Sequence, residues 1–235
     1  MEFIWKTRSN KKELLDLGSN YYTKKEYAHC LKMLFRVNYL FGTFYSTKQT
    51  LKKFPKNSSL IDIGCGGGLF LLKLSQYFPN MRLRGYDISQ EAIQCAQQEL
   101  QDWQMKSQAC NVSFHLQAIP SLEIAEDNID VVLSTLVCHH LTDSEIIHFL
   151  QKSQSLARKA VIINDLHRHP LAYFFYALLS PFLFRNRLIT HDGLISIQRG
   201  FTRKEWEFYL NQAKISQYQI KWCFPFRWKI ILWKK

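Results

Sequence analysis

Two aspartates and a run of glycines are the residues of this chain best suited to chemistry. Asp62-Ile63-Gly64-Cys65-Gly66-Gly67-Gly68 places glycines at positions 64, 66 and 68. Glycine adopts positive φ and has no Cβ, so such a loop turns tightly and lets a ligand approach its backbone. Asp87 follows Gly68 by 19 residues. A carboxylate there can accept hydrogen bonds from both hydroxyls of a ribose. Loop and acid together point to a nucleoside-containing ligand. The dinucleotide pattern Gly-x-Gly-x-x-Gly fails, because the sixth position is Leu69 counted from Gly64 and Leu71 counted from Gly66. No Gly-Lys-Ser/Thr triplet follows, which excludes a P-loop.

The second reactive set is histidine, the side chain that exchanges protons near neutral pH. His139 and His140 are adjacent, His167 and His169 flank Arg168, and His191 stands beside Asp192. A hydroxyl acceptor needs a base, and His167 is the first candidate, followed by His140. His139, His169 and His191 are read as acceptor contacts, and Arg168 as a cation that steadies an anionic acceptor. No Cys-x-x-Cys pair occurs among the six cysteines, which read as reduced, packed thiols. No metal is expected.

These residues need strands that end at a common edge. Ser59–Ile63, Arg82–Asp87, Val112–Leu116, Ile129–Ser134 and Ala160–Asn164 read as strands, separated by helical patterns. Ser89 fits an N-cap. Thr142–Glu145 and Thr202–Glu205 fit capping boxes. Strands alternating with helices imply a doubly wound, mostly parallel α/β sheet. Segments 217–223 and 227–233, joined by Phe224-Pro225-Phe226, add an antiparallel C-terminal hairpin and bring the sheet to seven strands. Ligands bind beyond the carboxyl ends of such strands, where the order reverses.

The chain divides as one domain over 1–235. Residues 1–57 form a helical cap, with a helix at Glu13–Leu17, another from Lys24 to Tyr39 and a third from Thr47 to Phe54. Residues 58–165 form the ligand-binding core, 166–200 an acceptor-side insertion, and 201–235 the last helix and hairpin. Tyr39 and Tyr173 are placed on the acceptor pocket. Segment 171–189 is strongly apolar but too short and broken to span a bilayer. Three readings stand for it: a packed helix pair, a lid, or shallow contact with a membrane surface.

The pattern Asp-x-Gly-Cys-Gly-x-Gly resembles motif I of class I S-adenosylmethionine-dependent methyltransferases. Ile129-Asp130-Val131-Val132 is similar to the fourth-strand motif of that family. Cys138-His139-His140-Leu141 is similar to the segment after it in bacterial quinone- and polyketide-type small-molecule methyltransferases. The resemblance spans roughly residues 58 to 165. It implies a Rossmann-like methyltransferase fold with S-adenosylmethionine as cofactor. Asp62, Gly64, Cys65, Gly66 and Gly68 would serve its methionine end and Asp87 its ribose. Ile88, Gln117, Ala118 and Ser134 would complete the site. The family often carries an acid after the third strand for the adenine amino group. Here Phe114–Pro120 has none, and the Gln117 amide oxygen takes that place.

The implied acceptor is a hydrophobic or aromatic small molecule, methylated on oxygen or carbon. The net charge of +12 suggests RNA or protein as an alternative acceptor. Against it, Ser134-Thr135-Leu136-Val137 follows the fourth strand where Asn/Asp-Pro-Pro-aromatic would stand, and no nucleic-acid module is visible. No specific nucleic-acid partner is expected. A catalytically silent cofactor-binding protein is the third reading. Without a secretory signal, the expected location is cytoplasmic, with membrane association through 171–189 as the variant.

Overall fold

The computed structural model describes residues 5–18, 20–106, 110–117, 128–184 and 186–234. Seven strands form one sheet in the order β3-β2-β1-β4-β5-β7-β6. In chain order they are β1 (Ser59–Ile63), β2 (Arg82–Asp87), β3 (Val112–Leu116), β4 (Val131–Thr135), β5 (Ala160–Leu166), β6 (Tyr218–Cys223) and β7 (Arg227–Trp233). The first five run parallel, and β7 is antiparallel to both β5 and β6. The order reverses between β1 and β4, so a crevice opens beyond their carboxyl ends.

Every residue of β1 and β5 is buried, as expected for central parallel strands covered on both faces. Ile61, Ile63, Val132, Val161 and Ile163 pack on one face against α5 (Asp143–Leu156) and α8 (Arg203–Gln212). Leu60, Leu83, Val131, Leu133 and Ile162 pack on the other against α2 (Thr43–Leu51), α3 (Leu69–Ser75) and α4 (Gln90–Met105). A third cluster joins α1 (Lys24–Leu40) to α6 (Pro170–Phe184) and α7 (Arg187–Arg199) through Cys30, Met33, Val37, Phe184, Leu188 and Ile189.

The capping boxes at Thr142 and Thr202 form as expected, and Ser89 caps α4. Thr23 with Glu26 makes a further box at α1. Three expectations change. The Glu13–Leu17 helix is a single 3-10 turn at Leu15–Leu17 that ends at Gly18 with φ 91°, and the Leu14 and Leu15 amides at its start donate to the Asp192 carboxylate. The helix expected at 47–54 starts at Thr43, directly after Gly42 turns the chain at φ 76°. β5 runs on past Asn164, since Asp165 and Leu166 pair with Trp228 and Arg227 of β7. The insertion is a packed helix pair: the Tyr176 hydroxyl donates to Ile189 O at 2.7 Å, and its ring fills the space where a Cβ on Gly193 would lie. Among the described residues no helix is long and apolar enough to cross a membrane.

Candidate active site

The glycine loop leaves β1 and is pinned to the neighbouring strand. Gly64 N and Cys65 N donate to Tyr86 O at 2.7 and 3.1 Å. Asp87 then holds the loop through its side chain: Oδ2 accepts from Gly66 N at 2.8 Å and Oδ1 from Ser89 N at 2.9 Å. Burial raises the Asp87 pKa, while these amides oppose the rise. Gly64, Gly66 and Gly68 have φ of 76°, 53° and 74°. At Gly68 a Cβ would come within 2.5 Å of the Phe114 ring, so both conformation and space demand glycine.

Asp62 lies beneath this loop, 2 % exposed, and its Oδ1 has no hydrogen-bond partner. Burial, and then the like charge of Asp87, push its pKa well above the usual carboxylate range. A buried carboxylate oxygen without a donor is costly in isolation and suits a cationic ligand group. Ile88 is exposed at the lip, and Gln117 N donates to Asp87 O at 2.9 Å, which holds the Gln117 backbone beside the end of β2. Cys65 is buried. Ala118 lies outside the described residues. Ser134 does not open to the crevice: it is fully buried, and its hydroxyl donates to Ile63 O at 3.3 Å within the sheet.

A cavity of about 580 Å³ adjoins the crevice. Two elements border both spaces. On α1, Leu31 rests on Gly66 and Gly67 while Cys30 and Leu34 line the cavity. After β4, Val137 sits against Gly64 while Leu136 lines the cavity. The walls are apolar and come chiefly from α1, α6 and α7. Phe175, Leu179, Leu183 and Phe224 line it yet are exposed, so the cavity opens to the surface along α6 and the hairpin.

The other end is polar. His139, 2 % exposed, stands with Nδ1 2.7 Å from Asp165 Oδ1, and its Nε2 lies 3.6 Å from Glu13 Oε1. Asp165 also accepts from Leu166 N at 2.7 Å. Burial lowers the His139 pKa, whereas Asp165 stays below the ordinary carboxylate value: burial raises it, but His139 outweighs that. The imidazole is therefore neutral near pH 7 and its partner ionised. His140 behaves oppositely. Burial disfavours its charge, but the carboxylates of Asp16 and Glu13 raise its pKa. Its Nδ1 is 3.0 Å from Asp16 Oδ1, too poorly aligned to be a hydrogen bond, so the attraction is ionic. Arg199 closes the cluster, donating to Asp16, His139 O and His140 O. Donor atoms of Glu13, His139 and His140 lie within 4.8 Å of one another, a spacing a metal ion could use. A metal there would have to displace any proton carried by His140.

The structure thus brings His139 and His140 to the cavity and leaves six expected acceptor-side residues away from it. His167 is packed against Trp228 and His169, and its Nδ1 accepts from Trp222 Nε1 at 3.2 Å. His169 stacks on Phe226. The Arg168 guanidinium donates to Gly200 O, Glu205 and the Trp5 and Lys6 carbonyls, and Arg168 does not line the cavity. Tyr173 meets Trp5, and His191 turns outward to Asp192 with its side chain 52 % exposed. Tyr39 likewise stacks with Phe35 and Phe44, while Val37 and Phe41 of the same helix face the cavity. Glu13, Asp165, Tyr176 and Arg227 were missed. Asp165 carried a signal, an acid ending an apolar strand, and so did Arg227, a cation beside Trp228 in a strand where Trp228, Ile230 and Leu232 face the core.

Comparison with known proteins agrees with this architecture. Residues 54–168 match the family model described as a methyltransferase domain. An uncharacterized methyltransferase of Schizosaccharomyces pombe is 30% identical over 95 residues, 40% of this chain and 34% of its own length. The chain therefore spans about a third of that curated relative. Human N-acetylserotonin methyltransferase, solved with S-adenosylmethionine, superposes with a TM-score of 0.65 at 18% identity, covering 90% of this chain and 56% of that one. The plantazolicin methyltransferase BpumL, solved with S-adenosylhomocysteine, gives 0.62 at 18% identity, covering 90% and 95%. At these identities the likeness is one of fold.

Proposed function

We propose, from the premise that residues 54–168 are a class I methyltransferase domain, that this protein transfers a methyl group from S-adenosylmethionine to an apolar or aromatic small molecule, at oxygen or carbon. The observation that carries the reading is Asp62, a buried carboxylate with an unpartnered oxygen under a glycine cradle whose far side is Asp87. That arrangement fits an ammonium, a close backbone contact and a ribose. The cofactor-bound fold relatives support the same assignment.

In this reading Asp62 holds the amino group of the methionine portion and the loop backbone approaches its chain. Asp87 accepts from the ribose hydroxyls with the lone pairs its amide contacts leave free. Ile88 and Gln117 flank the base, and Ala118 belongs to the same proposal. The bound cofactor supplies a methyl on an already activated sulfonium, so positioning and exclusion of water carry much of the rate. The apolar walls of the cavity exclude that water. For a hydroxyl acceptor, His139 replaces His167 as the proposed base. Asp165 keeps the proton on Nδ1, Nε2 faces the cavity, and the acceptor proton moves to Nε2 as its oxygen takes the methyl. His140, whose pKa the neighbouring carboxylates of Asp16 and Glu13 raise, lies 4.0 Å from Glu13 Oε2 and is assigned no proton transfer.

The exposed apolar face of α6, with Leu171, Phe174, Leu178 and Phe182 outward, supports shallow contact with a lipid surface near the cavity mouth. Six free thiols support a reducing, cytoplasmic setting. The decisive experiment is radiolabelled methyl transfer into cell extract separated into lipid-soluble, RNA and protein fractions. Label in the lipid-soluble small molecules is expected. Label confined to RNA or protein would overturn the acceptor class, and binding of S-adenosylhomocysteine without transfer would favour a silent cofactor-binding protein.

A further inference from the structure

Arg227 opens β7, is 8 % exposed and lines the cavity, yet its Nε and Nη1 have no hydrogen-bond partner. Every side-chain nitrogen of the other buried arginines has a partner: Arg168 is held by Glu205 and carbonyls, and Arg199 by Asp16 and carbonyls. Asp165 is close enough to act on Arg227 through its charge. Its oxygens, however, are engaged by His139 and the Leu166 amide, and among the described residues no ion pair joins it to Arg227. A guanidinium buried in a largely apolar space without a hydrogen-bonded oxyanion bears a desolvation cost that the Asp165 charge offsets only in part. It keeps its charge nonetheless, with a pKa pushed down by burial only to about 10.

We propose that Arg227 recognises the acidic group of the acceptor, and that the acceptor is an apolar molecule bearing a carboxylate. This rests on the methyl-transfer reading and names the substrate class of the same cavity. Arginine is the side chain best matched to a carboxylate, through planar, always-charged donors. The cavity supplies the rest of the recognition. Its walls along α6 and α7 take hydrocarbon, and its exposed mouth at Phe175, Leu179 and Leu183 lets a long tail emerge. A neutral hydrocarbon would fill the walls but leave the cation unpaired, so charge decides between ligands of equal length.

The test is calorimetric binding of decanoate, decanamide and 1-decanol to the whole protein, with and without S-adenosylhomocysteine. Wild type should bind decanoate at least about tenfold more tightly than either neutral analogue. Arg227→Met should bind all three alike, keep wild-type affinity for S-adenosylhomocysteine, and unfold at an equal or higher temperature, since removing an unpaired buried charge costs no pairing. Arg227→Lys should retain part of the preference. Equal binding of the three ligands by wild type would overturn the proposal. So would a carboxylate preference that survives in Arg227→Met, or a Met variant that fails to fold, because the guanidinium would then be structural. Loss of S-adenosylhomocysteine binding by wild type would count against the methyl-transfer reading instead, as the carboxylate preference is read separately.

Discussion

Asp62→Asn keeps the shape of a side chain and removes its charge, at a place where the charge has nothing of the protein's own to answer it. In the free protein Oδ1 has no donor, and burial followed by the nearby Asp87 charge raises the pKa well above the usual range. A carboxyl whose folded pKa is raised contributes stability that is complete below its unfolded pKa, about 3.9, and is lost as pH rises through the folded pKa. The free wild-type protein should therefore lose stability as pH climbs through that folded value, and the asparagine variant should lose less. With ligand bound, the balance reverses. A charge-assisted hydrogen bond from an ammonium to the buried carboxylate contributes about 1.5–3 kcal/mol, which is about a tenfold to 150-fold change in affinity. Calorimetric titration with S-adenosylhomocysteine, and thermal unfolding of the free protein across neutral pH, read the two halves separately. An affinity within about threefold of wild type would refute the assignment of Asp62 to the ammonium. A free variant less stable than wild type at the alkaline end would refute the orphaned charge.

Asp87→Ala should weaken S-adenosylhomocysteine at least about tenfold, losing the ribose contacts and the tether on Gly66, as titration calorimetry would report. His139→Ala should lower turnover by about 10²–10⁴-fold with cofactor affinity intact, whereas His167→Ala, away from the cavity, should keep most of it. Wild-type turnover should rise with pH through a midpoint below about 6.5, because burial lowers the His139 pKa and only the neutral imidazole takes a proton. A pH-rate profile with its midpoint above that value would reject His139 as the base. Gly68→Ala should destabilise the protein by about 1–3 kcal/mol, since its Cβ would meet the Phe114 ring and φ is 74°; denaturant unfolding measures it.

What could be read directly from the chain was local. The Thr142 and Thr202 capping boxes, the N-cap at Ser89 and the strands from β1 to β5 depend on neighbours a few residues away; the caps and β1 to β3 lie where their spacing put them, while β4 and β5 shift by one or two residues at their ends. The glycine loop was legible for the same reason: positive φ at alternate positions is a backbone demand that residue type alone reveals. The sheet was legible from the alternation of strands with helices, each a local pattern. The acceptor side was not legible. Glu13 meets His139 across 126 positions, and His139 meets Asp165 across 26. Nothing in either segment marks the other. Segment 171–184 is apolar on nearly every side, so its periodicity could not say that Phe175 and Leu179 face the cavity while Phe174 faces outward. Arg168 and Arg227 are chemically the same residue, and only folding spends one on carbonyls and Glu205 and leaves the other without a partner. Short-range sterics and hydrogen bonding are written into a few consecutive residues, whereas the pairing of buried charges is set by which distant segments the sheet brings together.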